Sequence, residues 1–111
     1  MFTKRSAINL VKKFAEEIAA TGIHLHKVIL FGSYAKARQN PYSDIDVALI
    51  SDSFIGVGFE DVKYFAAISI KKPYLLIEPK TYSITDFEKG DPFIEEIMKS
   101  GVEIKLDYTK S

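Results

Sequence analysis

The 111-residue chain carries 15 basic and 15 acidic side chains, is 47% hydrophobic and has no cysteine. Such a chain is expected to form one compact domain, 1–111, around a packed core. Wholesale disorder, disulfides, thiolate metal sites and the global positive field of a general nucleic-acid binder are excluded.

No stretch approaches the roughly 20 apolar residues of a membrane span. The amphipathic N-terminus, with Lys4, Arg5, Lys12 and Lys13, lacks the apolar core of a signal peptide, so a cytoplasmic location is expected.

Residues 3–21 read as a helix. Ile8, Val11, Phe14, Ala15, Ile18 and Ala19 recur at spacings of three and four, which gathers them on one face. Thr3 suits the cap at its start and Gly22 its end. The apolar, β-rich run Val28–Phe31 suits a strand covered on both sides. It stops at Gly32-Ser33, and a short helical stretch is expected over 34–38. Residues 40–43, Asn-Pro-Tyr-Ser, have turn chemistry.

Residues 44–50 read as a second strand, 51–58 as a loop with Gly56 and Gly58, and 59–70 as a second helix. A third strand is expected over 74–77, running into Glu78-Pro79. Ser83 to Glu88 form a helical turn with a Ser83/Asp86 cap. Asp91-Pro92 open the last helix, Gly101 closes it, and 102–106 form a final strand. Alternation of helices and strands argues for an α/β or α+β sheet with helices against it.

Three local features carry chemistry. Gly32-Ser33 stands between a buried strand and a helix start, where backbone N–H groups suit phosphate oxygens and glycine admits close approach. Alone, such a pair is equally a plain strand-to-helix turn. Asp44 and Asp46 stand two apart in a strand, so both carboxylates share one face while Ile45 faces the apolar side. Like charges so placed repel; a divalent cation offsets that cost, as solvent at a strand end also would. Glu78 follows the third strand. If that strand neighbours the second, Glu78 completes a three-carboxylate set able to hold two ions; otherwise it is an ordinary charged strand end.

Gly32-Ser33, ten residues, then Asp44-x-Asp46 resembles the signature of the DNA polymerase β-like nucleotidyltransferases. More narrowly, Gly32-Ser33-Tyr34-Ala35-Lys36 with Ser43-Asp44-Ile45-Asp46-Val47 is similar to the minimal nucleotidyltransferases of that superfamily. The resemblance implies a nucleotidyltransferase fold, a mixed β-sheet flanked by helices. It also implies triphosphate binding at Gly32 and Ser33 with Lys36 as a helper, and catalytic, magnesium-binding roles for Asp44, Asp46 and Glu78. Two departures stand out: Lys36-Ala37 where the family often has Arg-Gly, and Glu78 where Asp is common.

The activity so implied is transfer of AMP from Mg–ATP to an acceptor hydroxyl, with two magnesium ions. Members this small resemble the antitoxin half of toxin–antitoxin pairs, whose partner is a helical HEPN ribonuclease modified with AMP. A small-molecule acceptor would need added structure or a homo-oligomer. The alternative is a binding module that neutralises its partner by steric cover.

Other residues carry less. His24 and His26 lack further ligands and read as surface residues. Tyr34 is placed either beside a base or in the packing. The apolar segment Phe54, Ile55, Val57, Phe59, Tyr64, Phe65, Ile68 and Ile70 is expected to be mostly core, with some left for a partner. No Walker-type phosphate loop is present.

Overall fold

Alternation along one strand organises the architecture. In the computed structural model, which describes residues 2–106, the strand β2 (Ile45–Ser51) sends successive side chains to opposite faces of a sheet. Ile45, Val47 and Leu49 join one core cluster, and Ala48 and Ile50 join a second. The sheet contains β1 (Leu25–Phe31), β2, β3 (Ile77–Tyr82) and β4 (Val102–Glu103), in the order β3-β2-β1-β4. β1 runs antiparallel to β2 and β4, whereas β2 and β3 are parallel. This is the expected mixed sheet with helices on both faces.

The first face is covered by α1 (Lys4–Ala20), whose Ala7, Val11, Phe14, Ala15 and Ile18 are fully buried. Thr3 caps it as expected: its hydroxyl accepts from the Ser6 N–H, and Ser6 answers to the Thr3 N–H. Phe14 packs edge-on against Phe65 and Tyr74, with ring centroids 6.1 and 5.2 Å away. Each such ring, fully buried, contributes about 1.5–3 kcal/mol.

The second face is covered by two short helices, α4 (Ile84–Lys89) and α5 (Pro92–Ser100). Phe87, Ile94 and Ile97 from these helices close over Ile29, Ala48, Ile50 and Tyr82. Ser83 and Asp91 cap α4 and α5 by accepting from the Asp86 and Ile94 N–H groups. Gly101 ends α5 hard against β1. A Cβ there would come within 2.4 Å of the Ile97 carbonyl oxygen and 2.6 Å of Ile29 Cγ2.

Several expectations are corrected. The first strand begins at Leu25, so it includes His26; both histidines are exposed. Residues 33–37 form turns rather than a regular helix, and β1 returns directly into an antiparallel β2.

The helix expected over 59–70 is broken into α2 (Gly58–Asp61), a 3₁₀ turn (Val62–Tyr64) and α3 (Ala66–Ser69). Phe65 leaves helical dihedrals (φ −137°, ψ 19°). Its ring packs between Phe14 and Phe54. Of the eight apolar residues singled out in this segment, only Phe54, Phe65 and Ile68 are buried. Ile55, Val57, Phe59, Tyr64 and Ile70 are exposed, so most of this segment is not core.

The strand expected over 74–77 also moves. Pro73 belongs to a 3₁₀ turn (Lys72–Tyr74), Tyr74 is buried, and Leu75 and Leu76 are exposed. β3 starts only at Ile77 and contains Pro79. It tolerates proline because it is the outer strand, with one side unpaired among the described residues. At the sheet's other edge, the strand expected over 102–106 is only two residues long, Val102–Glu103.

One buried acid holds the irregular segment to the sheet. Asp61 is 1% exposed and accepts from the Ile55 N–H, the Gly56 N–H and the Thr81 hydroxyl at 2.9, 2.8 and 2.7 Å. Asp61→Ala strands all three donors. Urea unfolding should show a loss of about 3 kcal/mol.

Candidate active site

The site begins where β1 ends. Gly32 follows Phe31 with φ +76°, a left-handed conformation natural to glycine. The next residues make one helical turn and stop. The Ala37 N–H donates to the Tyr34 carbonyl and the Arg38 N–H to the Ser33 carbonyl. These two bonds form the paired closure that ends a helix, which demands a left-handed residue between them. That residue is Ala37, at φ 55°. A side chain there costs about 1–2 kcal/mol.

The following turn delivers the acids. Asn40 Oδ1 accepts from the Tyr42 N–H, and Ser43 Oγ accepts from the Asn40 N–H. Asp44 emerges exposed from this turn, and the Ile45 N–H then donates to the Leu76 carbonyl to start the β2–β3 ladder. In that ladder Asp46 pairs with Glu78 on one side and Phe31 on the other. Phe31, Asp46 and Glu78 therefore form one row across three strands, on the face that α5 only partly covers. The conditional expectation about Glu78 is met: its strand does neighbour that of the aspartates, and Glu78 is its second residue.

These side chains line a cleft of about 640 Å³. Gly32, Asp44, Asp46 and Glu78 belong to the sheet side. Phe93, Glu96, Ile97 and Ser100 form the opposing wall, spaced as one stripe along α5. Ser33 does not line the cleft. Its carbonyl closes the turn, and its half-buried hydroxyl has no hydrogen-bond partner among the described residues. Tyr34 is 1% exposed within the first core cluster, so its role is packing.

Electrostatics single out Asp46. Burial, then the negative charges of Asp44 and Glu78, push its carboxyl above the ordinary 3.8. Lys36 lines the same cleft but is engaged: its Nζ lies 3.2 Å from Glu96 Oε1 on α5. That ion pair lowers the pKa of Glu96. Both partners are largely exposed, so a competing phosphate can displace the carboxylate cheaply.

Sequence reasoning missed Lys80, Phe93 and Glu96. Lys80 stands two residues after Glu78, on the same strand face; only the correct β3 register would have revealed it. Phe93, Glu96 and Ser100 share helical spacing with the buried Ile97, a signal that was present in the sequence.

The donor set suits magnesium. Three carboxylates share the cleft, and the half-buried Asp46 resists carrying its charge unaided. Among the described residues no three acidic or imidazole groups converge into a ready-made cage. Magnesium does not require one, because it keeps several waters and binds through one or two carboxylates plus substrate phosphates.

This mixed sheet, with paired aspartates beside a glycine turn, defines a nucleotidyltransferase, and the chain belongs to the polymerase β nucleotidyltransferase family, whose model matches residues 12–107. It is 31% identical over 100 residues to the "Putative protein adenylyltransferase" of Methanocaldococcus jannaschii, covering 87% of this chain and 97% of that protein. Among solved structures, a "putative nucleotidyltransferase" from Sulfolobus solfataricus superposes with a TM-score of 0.65 at 18% identity, covering 97% of this chain and 86% of that one. A toxin–antitoxin crystal structure with AMP-PNP superposes with a TM-score of 0.55 at 17% identity, covering 88% and 75%. Both structural likenesses concern the fold.

The turn and the acid pair each set the outcome of specific substitutions. Ala37→Gly should raise unfolding stability by about 0.5–1 kcal/mol. Gly32→Ala should lower it, because the added Cβ would lie 2.3 Å from Asp46 Oδ2.

Asp46→Asn should melt higher than the wild type at pH 7. With the folded pKa raised, the native state keeps a proton that the unfolded chain releases. Stability therefore falls as pH rises from 3.8 through the raised value. Thermal melts from pH 3 to 8 should show the variant's advantage at neutral pH vanishing at the acid end.

Proposed function

We propose that this protein transfers AMP from Mg–ATP to a hydroxyl of a protein acceptor, and that the acceptor is a helical HEPN-type toxin for which it acts as antitoxin. The observation that carries the reading is the row of Asp46 and Glu78, with Asp44 at its mouth, in one cleft beside the Gly32 turn. The named adenylyltransferase relative supports AMP as the group transferred. The toxin–antitoxin neighbour with AMP-PNP supports a protein partner and a nucleotide at this fold. Residues 1–111 act as one domain in this reading.

Asp44, Asp46 and Glu78 would hold up to two magnesium ions. When bound, the ions neutralise triphosphate charge and polarise the reacting oxygens. Gly32 lets the polyphosphate lie against the backbone; Ser33, which stands outside the cleft lining, would have to turn its unpartnered hydroxyl inward to donate to it. Lys36 exchanges Glu96 for a phosphate oxygen. The acceptor oxygen forms a bond to the α-phosphorus as the bond to pyrophosphate breaks. Glu78 takes the proton that the acceptor hydroxyl loses, and pyrophosphate leaves. Most of the rate comes from positioning and charge neutralisation.

The test is transfer of radiolabelled AMP onto co-purified partner. Asp44→Asn with Asp46→Asn should lower transfer by at least about 10³-fold while leaving the fold intact by circular dichroism. Magnesium should raise the melting temperature of the wild type and not of the double variant. Unlabelled partner that the double variant still neutralises fully would replace transfer with steric cover.

A further inference from the structure

The cleft contains two lysines, Lys36 and Lys80. Lys36 is tied to Glu96. Lys80 meets no carboxylate within ion-pair distance among the described residues. Its ammonium instead lies over two aromatic rings, 5.7 Å from the centroid of Tyr82 and 5.4 Å from that of Phe93. Phe93 is itself fixed edge-on against Phe31, with centroids 5.8 Å apart.

The register places this cation relative to the acids. Asp46 pairs with Glu78, and the next pair on that face is Ala48 with Lys80. Lys80 is thus one row inward from the carboxylates, about 6.6 Å along the strand. Its neighbour in that row is the small Ala48, and the far wall is Phe93 on α5. An aromatic cradle holds an ammonium without neutralising it, so the charge stays available to an incoming anion. A lysine on a four-carbon stem can swing from the rings to a phosphate oxygen.

We infer that Lys80 is a nucleotide-binding residue whose ammonium, pre-placed by Tyr82 and Phe93, contacts the phosphate chain of the substrate triphosphate. This rests on the transfer reading above and adds to it a second positive group, one that no carboxylate of the described residues claims. A cation–aromatic contact at an exposed site is weaker than a charge-assisted bond to phosphate, so the exchange favours the nucleotide.

The experiment is calorimetric titration of the full chain with Mg–ATP and, as a phosphate-only probe, with magnesium tripolyphosphate. Lys80→Met keeps length and ring contact but removes the charge; Lys80→Arg keeps both. The expected result is about ten-fold weaker binding of both ligands by Lys80→Met. Lys80→Arg should stay within about three-fold of wild type, and neither variant should melt much differently.

Wild-type affinity in Lys80→Met would overturn the inference and leave the transfer reading standing. Equal weakening in both variants, with falling melting temperatures, would overturn it too, because the lysine would then be packing only. A wild-type chain that binds neither ligand would sink the transfer reading itself, and this inference with it.

Discussion

Contact between a carboxylate and a backbone without a side chain is the constraint on which the site depends. Asp46 Oδ2 occupies the space where a Cβ on residue 32 would lie. The same glycine turns the chain out of β1 in a left-handed conformation. One residue therefore sets both the exit of the chain and the depth to which the acid can be buried. From that depth follow the elevated pKa of Asp46, the closeness of Asp44 and Glu78, and the value of a counter-charge arriving with substrate.

The sheet gives the site its two-sided character. One face of β2 is sealed by α1, and the acids cannot turn that way because Ile45 and Val47 fill it. The other face is sealed only as far as Ala48 by the residues of α4 and α5. Where that cover ends, Asp46 and Glu78 emerge. The far wall of the cleft is the flank of the helix that builds the second core. A residue such as Ile97 thus serves both packing and site shape. The cost is local: one aspartate, Asp46, whose ionisation burial and its acidic neighbours oppose, and an alanine forced left-handed at position 37. Natural sites store strain and charge repulsion in this way when function compensates.

Much of this was legible in the sequence. The period of α1, the Asp91-Pro92 start of α5 and the Gly32 to Asp46 spacing each rest on local chemistry that tertiary contacts did not override. What misled was the stretch from 54 to 77. There apolar residues are abundant, yet the chain follows one buried ring, Phe65, and one buried acid, Asp61, rather than any period. β3 was displaced because an outer strand need not be continuously apolar; Ile77-Glu78-Pro79-Lys80 reads as a terminator until its neighbour is known. The missed Lys80 is a direct consequence, since its face is defined only by that register.

Pro79 has an effect on how another polypeptide could approach. An outer strand ordinarily invites an extended segment to add alongside it, main chain to main chain. Proline offers no N–H, and within a ladder it must turn that deficiency outward. The rim beside Glu78 is therefore a poor template for a visiting strand. A polypeptide substrate would have to present its reactive group from a helix or a loop tip, reaching over the rim rather than zipping onto it.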